Sequence, residues 1–354
     1  MKNNTAKRGR YRMKVTRLFI DHARKGVSGL LVLGLWFAWV GTAYSAAADV
    51  AKAEGELVWW TTMAQDQSQK VIEAFMKKHP SIKATYWRSG SNGVHNKIMT
   101  ESRANRHSWD VVTYTAEFVL ELKQRKLIAA YDSPERRNYS EDLKDDKGYW
   151  TAVYALPIGL GYNTKLVKKE EVPRSYDALL ETKKRGWRIS IDNEGESLLA
   201  GLIQAWGRDK AVRYLTKLAT QNVVPGRGNT QRAQATAAGE FPLLIAYTHS
   251  IEWFKLQGAP IDWVNLEPAV VQVNPVMLAA NAPHPNAGKL FVDFILSKEG
   301  QTLLQSFHRV TTHNEVKPNP ARLIEGFKRV VLYPEDHQTL VESAKLYKKI
   351  FGLQ

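Results

Sequence analysis

The residues best suited to chemistry in this chain sit between two short aromatic runs, in Tyr86-Trp87-Arg88-Ser89-Gly90-Ser91-Asn92-Gly93. Ser89 to Gly93 is too small and polar to continue an extended run, so the chain must turn there. Ser91 or Asn92 is expected to cap the helix that follows, because a short side-chain oxygen accepts the free N–H groups of a first turn. A helix N-terminus placed at the end of a strand suits an anion or a polar oxygen. Taken alone, the five residues also read as an ordinary capped turn. Their weight comes from other polar residues predicted at strand ends: Thr61 and Thr62, Tyr114 and Thr115, and further on Arg227, Tyr247 and Thr248.

The elements that must position these groups repeat a strand and helix alternation. Residues 56–62 form a strand after Gly55, and Asp66 or Ser68 starts a helix with Val71, Ile72, Phe75 and Met76 on one face, ended at His79-Pro80. Residues 83–87 are extended, Val94, Ile98 and Met99 form the inward face of the next helix, and 110–114 is a strand. A helix over 117–125 leads into 127–130. This spacing predicts a parallel sheet with right-handed crossovers. Residues 133–150 read as polar surface. In 155–163, Pro157, Gly159 and Gly161 interrupt apolar residues, as in an extended crossing that must bend. A second set follows: strands at 188–192 and 243–247, helices at 197–206, 211–219, 231–238 and 251–257, and a Gly-rich turn at 221–230. The chain is therefore expected to be α/β with two similar lobes.

Composition bounds the rest. The 354 residues carry a net charge of +15, but residues 1–27 hold nine Lys and Arg against Asp21 alone, which leaves +7 for the remainder. An uncharged apolar run over 26–42 follows, then Ala43-Tyr44-Ser45-Ala46-Ala47-Ala48. That order is the one of a secretory signal peptide, expected to span residues 1–48 and to direct the mature chain to the periplasm. The adjoining apolar run argues against a nucleic-acid arm, so no nucleic acid is expected among the partners. There is no cysteine, so packing alone must hold an exported protein together. With no nucleophile elbow, metal-ligand spacing or phosphate loop, no enzyme is expected.

From Ala282 to Gln301 the chain reads Ala-Pro-His-Pro-Asn-Ala-Gly-Lys-Leu-Phe-Val-Asp-Phe-Ile-Leu-Ser-Lys-Glu-Gly-Gln, which resembles the periplasmic solute-binding proteins of ABC importers, in the ferric-iron, phosphonate and phosphosugar group. Tyr162-Asn163-Thr164, Ala238-Gly239-Glu240 and the run from Gly258 to Val264 support it. The resemblance implies a type II two-lobed binding fold with two crossing strands as a hinge, near 156–162 and 266–273. Lobe 1 would comprise 49–156 and 271–354, with a C-terminal helical tail, and lobe 2 would comprise 157–270. It further implies a monomer that captures a small polar, anionic solute and passes it to an ABC permease in the inner membrane, without a cofactor. Within the same family the alternatives are a ferric-iron or iron-complex binder and a sensory protein reporting to a receptor.

The iron-binding members use a first-loop imidazole, a carboxylate and paired tyrosines. Here Thr61-Thr62-Met63-Ala64-Gln65 has no His, Thr115 stands at the carboxylate position with Glu117 two residues on, and Thr248-His249 stand at the tyrosine positions beside Tyr247. A hard ferric ion needs anionic oxygens, so no metal site is expected. The family's second-lobe anion helix falls near Glu194-Gly195-Glu196-Ser197, where two carboxylates oppose a phosphate, while Arg227 is expected to reach an anion from that lobe. Trp59, Trp60 and Trp87 are expected near the cleft, able to stack on a ring.

Overall fold

The computed structural model describes residues 51–332 and 337–353, and the expected signal peptide lies outside them. From Gly55 onward the described chain forms one unit. It opens with β1 (Glu56–Thr61), α1 (Gln65–Lys78), β2 (Lys83–Arg88), α2 (Ser91–Arg103), β3 (Val111–Thr113), α3 (Val119–Gln124) and β4 (Ile128–Ala129). β1 pairs in parallel with both β2 and β3. In α1, Val71, Ile72 and Phe75 are buried at helical spacing, and Lys77 and Lys78 complement the negative end of its dipole.

β5 (Thr151–Asn163) belongs to two sheets. Up to Pro157 it pairs with β10 (Ala269–Ala279), whereas Ile158 to Tyr162 pair with β8 (Leu243–Tyr247). The glycines of this crossing are close-packed rather than loose. A Cβ on Gly159 would lie 2.6 Å from the Thr248 methyl, and one on Gly161 would lie 2.3 Å from a Leu244 methyl. Their small size lets β8 and the helix after it approach β5.

The second half contains α4 (Tyr176–Leu179), β6 (Ile189–Asp192), α5 (Glu196–Trp206), α6 (Arg208–Ala219), β7 (Val223–Gly226), α7 (Asn229–Ala237), α8 (Thr248–Leu256) and β9 (Ile261–Val264). After β10 come α9 (Pro285–Leu296), α10 (Lys298–Ser306), β11 (Val310–Thr311), β12 (Arg329–Val331) and α11 (His337–Phe351). The main sheet path runs β2-β1-β3-β10-β5-β8-β6-β7. β3 and β10 are antiparallel, and β6 is parallel to β7 and β8, so each half has its own parallel set joined through β10 and β5.

Three expectations change. Residues 133–150 are not mere surface: buried Arg136 donates to the Trp150 carbonyl at 3.0 Å, and buried Tyr139 donates to the Leu296 carbonyl at 2.7 Å. The Gly-rich stretch 221–230 contains β7, an edge strand where a Pro without an N–H is tolerated. The C-terminal tail, expected with lobe 1, meets both halves: Tyr347 joins Leu160, Ile189, Leu199 and Leu215 in the apolar core of the second half, and α11 also lies against residues 116–124 of the first.

Candidate functional site

The parallel registers bring the first-half loops together. Ser89 N–H donates to the Thr61 carbonyl at 3.2 Å, and Thr62 N–H to the Thr113 carbonyl at 3.1 Å. The chain segments after β1, β2 and β3 therefore lie side by side at the carboxyl edge, where open α/β sheets bind ligands. From there Thr62 reaches the crossing strand: Asn274 Nδ2 donates to its hydroxyl at 3.3 Å. Two residues earlier on the same face of β10, Gln272 accepts from the Tyr247 hydroxyl and donates to Ser197. Tyr247 ends β8 and Ser197 lies in the first turn of α5. The carboxyl edges of both halves thus meet over the β5 and β10 face that carries Gln272 and Asn274, opposite Leu156 and Tyr154 in register.

On the second-half side this space opens into a cavity of about 220 Å³ lined by Asp192, Ser197, Asn229, Arg232, Tyr247 and Tyr347 among others. Buried Arg232 donates to the Asp192 carboxylate at 2.9 Å and to the Ile245 carbonyl at 2.8 Å. Burial pulls its guanidinium below its ordinary range, opposed by Asp192. Tyr347 crosses from α11 to donate to the Asp192 carbonyl at 2.7 Å. The Tyr247 phenol is pushed up by burial first and then by Glu117, Asp192 and Glu196, so it stays protonated. His249 is pulled down to about 3 by burial and by Arg309, so its ring is neutral at neutral pH.

The sequence candidates divide. Thr62, Tyr247, Thr61 and Ser89 fall in the converging loops, but Thr61 is buried with its hydroxyl 2.8 Å from that of Thr113. Ser91 and Asn92 open α2, yet neither caps it. Gly90 takes that position without a side-chain hydrogen bond, which leaves the first N–H groups of the helix unclaimed by any cap. Tyr114 is fully buried, its ring 5.4 Å from Phe118 and its hydroxyl without a partner. Thr115 donates to Glu117 at 3.0 Å. Thr248 starts α8, fully buried, its hydroxyl unpartnered. Arg227 is exposed, and Arg232 is the arginine that lines the cavity. Trp59 and Trp60 are core residues, and Trp60 packs on Trp87 at 5.3 Å and on Trp109 at 6.1 Å, so these rings hold the sheet together rather than offering a platform. Glu194 is exposed, while burial raises the carboxyl of Glu196 in the first turn of α5.

Sequence reasoning missed Gln272, Asn274, Arg232, Arg309 and Tyr347. Two of them carried a signal: in Val270-Val271-Gln272-Val273-Asn274, amides at alternate positions of a buried strand mark a polar face.

Two α/β halves, hinged on shared strands with polar groups from both edges converging between them, define a protein that encloses a small solute. The model of the bacterial extracellular solute-binding proteins matches residues 70–321, and the chain belongs to that family. An Fe(3+)-binding periplasmic protein of Serratia marcescens is 20% identical over 277 residues, 73% of this chain and 79% of that protein. Among solved structures, the periplasmic binding protein AfuA from Actinobacillus pleuropneumoniae with exogenous fructose-6-phosphate bound shares 25% identity at a TM-score of 0.66, covering 84% of this chain and 97% of that one. Iron-bound HitA from Pseudomonas aeruginosa shares 19% identity at a TM-score of 0.70, over 83% and 99% of the two chains.

Proposed function

We propose that this protein is exported by an N-terminal signal peptide, captures a small polar anion between its halves, and delivers it as a monomer to an ABC permease of the inner membrane. The observation that carries this reading is the convergence of Thr62, Tyr247, Gln272 and Asn274 on one face of the crossing strands. Polar groups from both edges on a shared hinge suit a ligand that the halves close upon. An anion is favoured by the helices that start beside this face without side-chain caps: α1 after Ala64, α2 after Gly90 and α8 after Tyr247. A ferric ligand set is disfavoured by chemistry. Thr115 and Thr248-His249 stand where the resemblance places the carboxylate and the paired tyrosines of the iron-binding members, so Tyr247 lacks the further anionic oxygens that a hard ferric ion needs.

Native mass spectrometry of the mature chain taken from its own periplasm tests the reading. The expected result is a co-purified organic mass carrying phosphorus or carboxylate that leaves on denaturation. An iron adduct would move the assignment to the ferric members. A chain that carries nothing and binds no phosphate ester, phosphonate or carboxylate in calorimetry would remove it.

A further inference from the structure

Five arginines among the described residues are buried or half-buried: Arg136, Arg232, Arg309, Arg322 and Arg329. Four meet a carboxylate. Arg136 pairs with Asp132, Arg232 with Asp192, Arg322 with Glu252 and Asp262, and Arg329 with Asp142. Arg309, between α10 and β11, has no carboxylate partner among the described residues, although withdrawing a guanidinium from water without a counter-charge is costly.

Its side chain is nonetheless fixed. Nε and Nη2 donate to Gln67 Oε1 at 3.0 and 2.8 Å, and the guanidinium carbon stands 4.7 Å from the centre of the Tyr154 ring. A neutral amide and an aromatic face orient the charge without cancelling it. The position is the interlobe face. Gln67 belongs to the first turn of α1, and Tyr154 is the cross-strand partner of Asn274, so the ring and the carboxamide project from the same side of the β5 and β10 pair. Asn274 is 2% exposed, and its Oδ1 has no hydrogen-bond partner. An unpaired buried acceptor and an uncancelled cation, linked through Tyr154, which faces the guanidinium and pairs with Asn274 across the strands, imply groups supplied from outside. His249, which feels the Arg309 charge, stays neutral and does not compete for it.

We propose that Arg309 anchors the anionic group of the solute and that Asn274 Oδ1 accepts a hydrogen bond from a hydroxyl or ammonium group on the same molecule. The ligand class is then a small phosphate ester, phosphonate or carboxylate bearing a hydroxyl or amine. This rests on the reading that the cleft between the halves holds the solute.

The test is calorimetry on the mature chain with 2-aminoethylphosphonate, ethylphosphonate and fructose 6-phosphate. At least one is expected to bind, and Arg309→Gln is expected to weaken it about tenfold to a hundredfold, the range for one charge-assisted pair, with the ligand-free melting temperature held. Arg309→Lys should recover part of the loss. Asn274→Ala should weaken 2-aminoethylphosphonate or fructose 6-phosphate more than ethylphosphonate. If Arg309→Gln binds like the parent while Gln272→Ala does not, the anchor is wrong and the cleft reading stands. If none of the probes binds the parent chain, the anchor falls, whatever mass co-purifies from the periplasm.

Discussion

Arg232 and Arg309 show how the same side chain serves two purposes according to its partner. Arg232 is 4% exposed and spends its charge on Asp192, so removing it strands a partly buried carboxylate. Arg232→Ala is expected to lower stability by about 3 kcal/mol, the lower end for breaking a buried pair, read as a drop in the urea midpoint at constant m. A midpoint that does not move would show that Asp192 is resolvated at no cost. His249 makes a second residue-scale case. Its ring titrates near 3 in the fold against 6.5 for an ordinary histidine, so between those values the unfolded chain binds the extra proton. Stability must therefore fall as pH is lowered from about 6.5 toward 3. Asp262 acts in the same direction. Burial raises its carboxyl, but hydrogen bonds from Arg322 and Lys255 outweigh that and hold it below the usual range, so its contribution disappears as pH falls through the folded value. His249→Asn should flatten the acid slope that begins near pH 6.5 and leave the Asp262 part, which sets in only below about pH 4, measurable as urea midpoints from pH 7 to 3. The legibility of such residues differs for a physical reason. Thr62 and Tyr247 could be picked out because polar groups at strand ends have a place in the fold's logic. Arg309 could not, because its significance is the carboxylate that is missing around it, which only three-dimensional neighbours reveal.

At the scale of elements, the turn into α2 was readable and its cap was not. Five small polar residues force the chain to turn, but whether Gly90, Ser91 or Asn92 takes the capping position depends on a shift of one residue, a shift that local propensity does not resolve. The same limit hid β7, whose Val-Val-Pro-Gly sequence breaks the strand pattern and is tolerated because the strand has a neighbour on one side only. Gly93 gives the α2 turn a direct test. A Cβ there would lie 2.2 Å from Ser89 Oγ, so the hydroxyl would have to swing away while the helix backbone gains a better helix former. Gly93→Ala is expected to hold or raise stability by up to about 1 kcal/mol and to weaken solute binding, the two read by thermal unfolding and calorimetry on one sample. Binding unchanged alongside a raised melting temperature would take the Ser89 loop out of the site.

For the whole molecule, the repeated strand and helix spacing announced two halves, and the Pro and Gly interruptions announced the crossing at β5. The position of α11 could not be read, since an amphipathic C-terminal helix fits either half and only the shape of the surface it meets decides. In the second half it meets the turn between β6 and α5. Tyr347 lies against Gly195, where a Cβ would come 2.5 Å from its hydroxyl oxygen, and that hydroxyl holds the Asp192 carbonyl while Phe351 packs 4.6 Å from its ring. Asp192 in turn fixes Arg232, so α11 braces the second-half wall of the cleft from a segment beyond the family match at residue 321. Tyr347→Phe removes only the hydrogen bond and should cost about 1 kcal/mol. Tyr347→Ala empties the buried site and should cost about 3 kcal/mol, with faster amide exchange at the start of α5. The location of that exchange decides the role of the tail. If Tyr347→Ala speeds exchange in α11 alone and leaves residues 192–200 protected, the helix is an appendage to a finished second half. Exchange that spreads into the β6 and α5 turn, together with weaker solute binding, makes it the outer wall of the site.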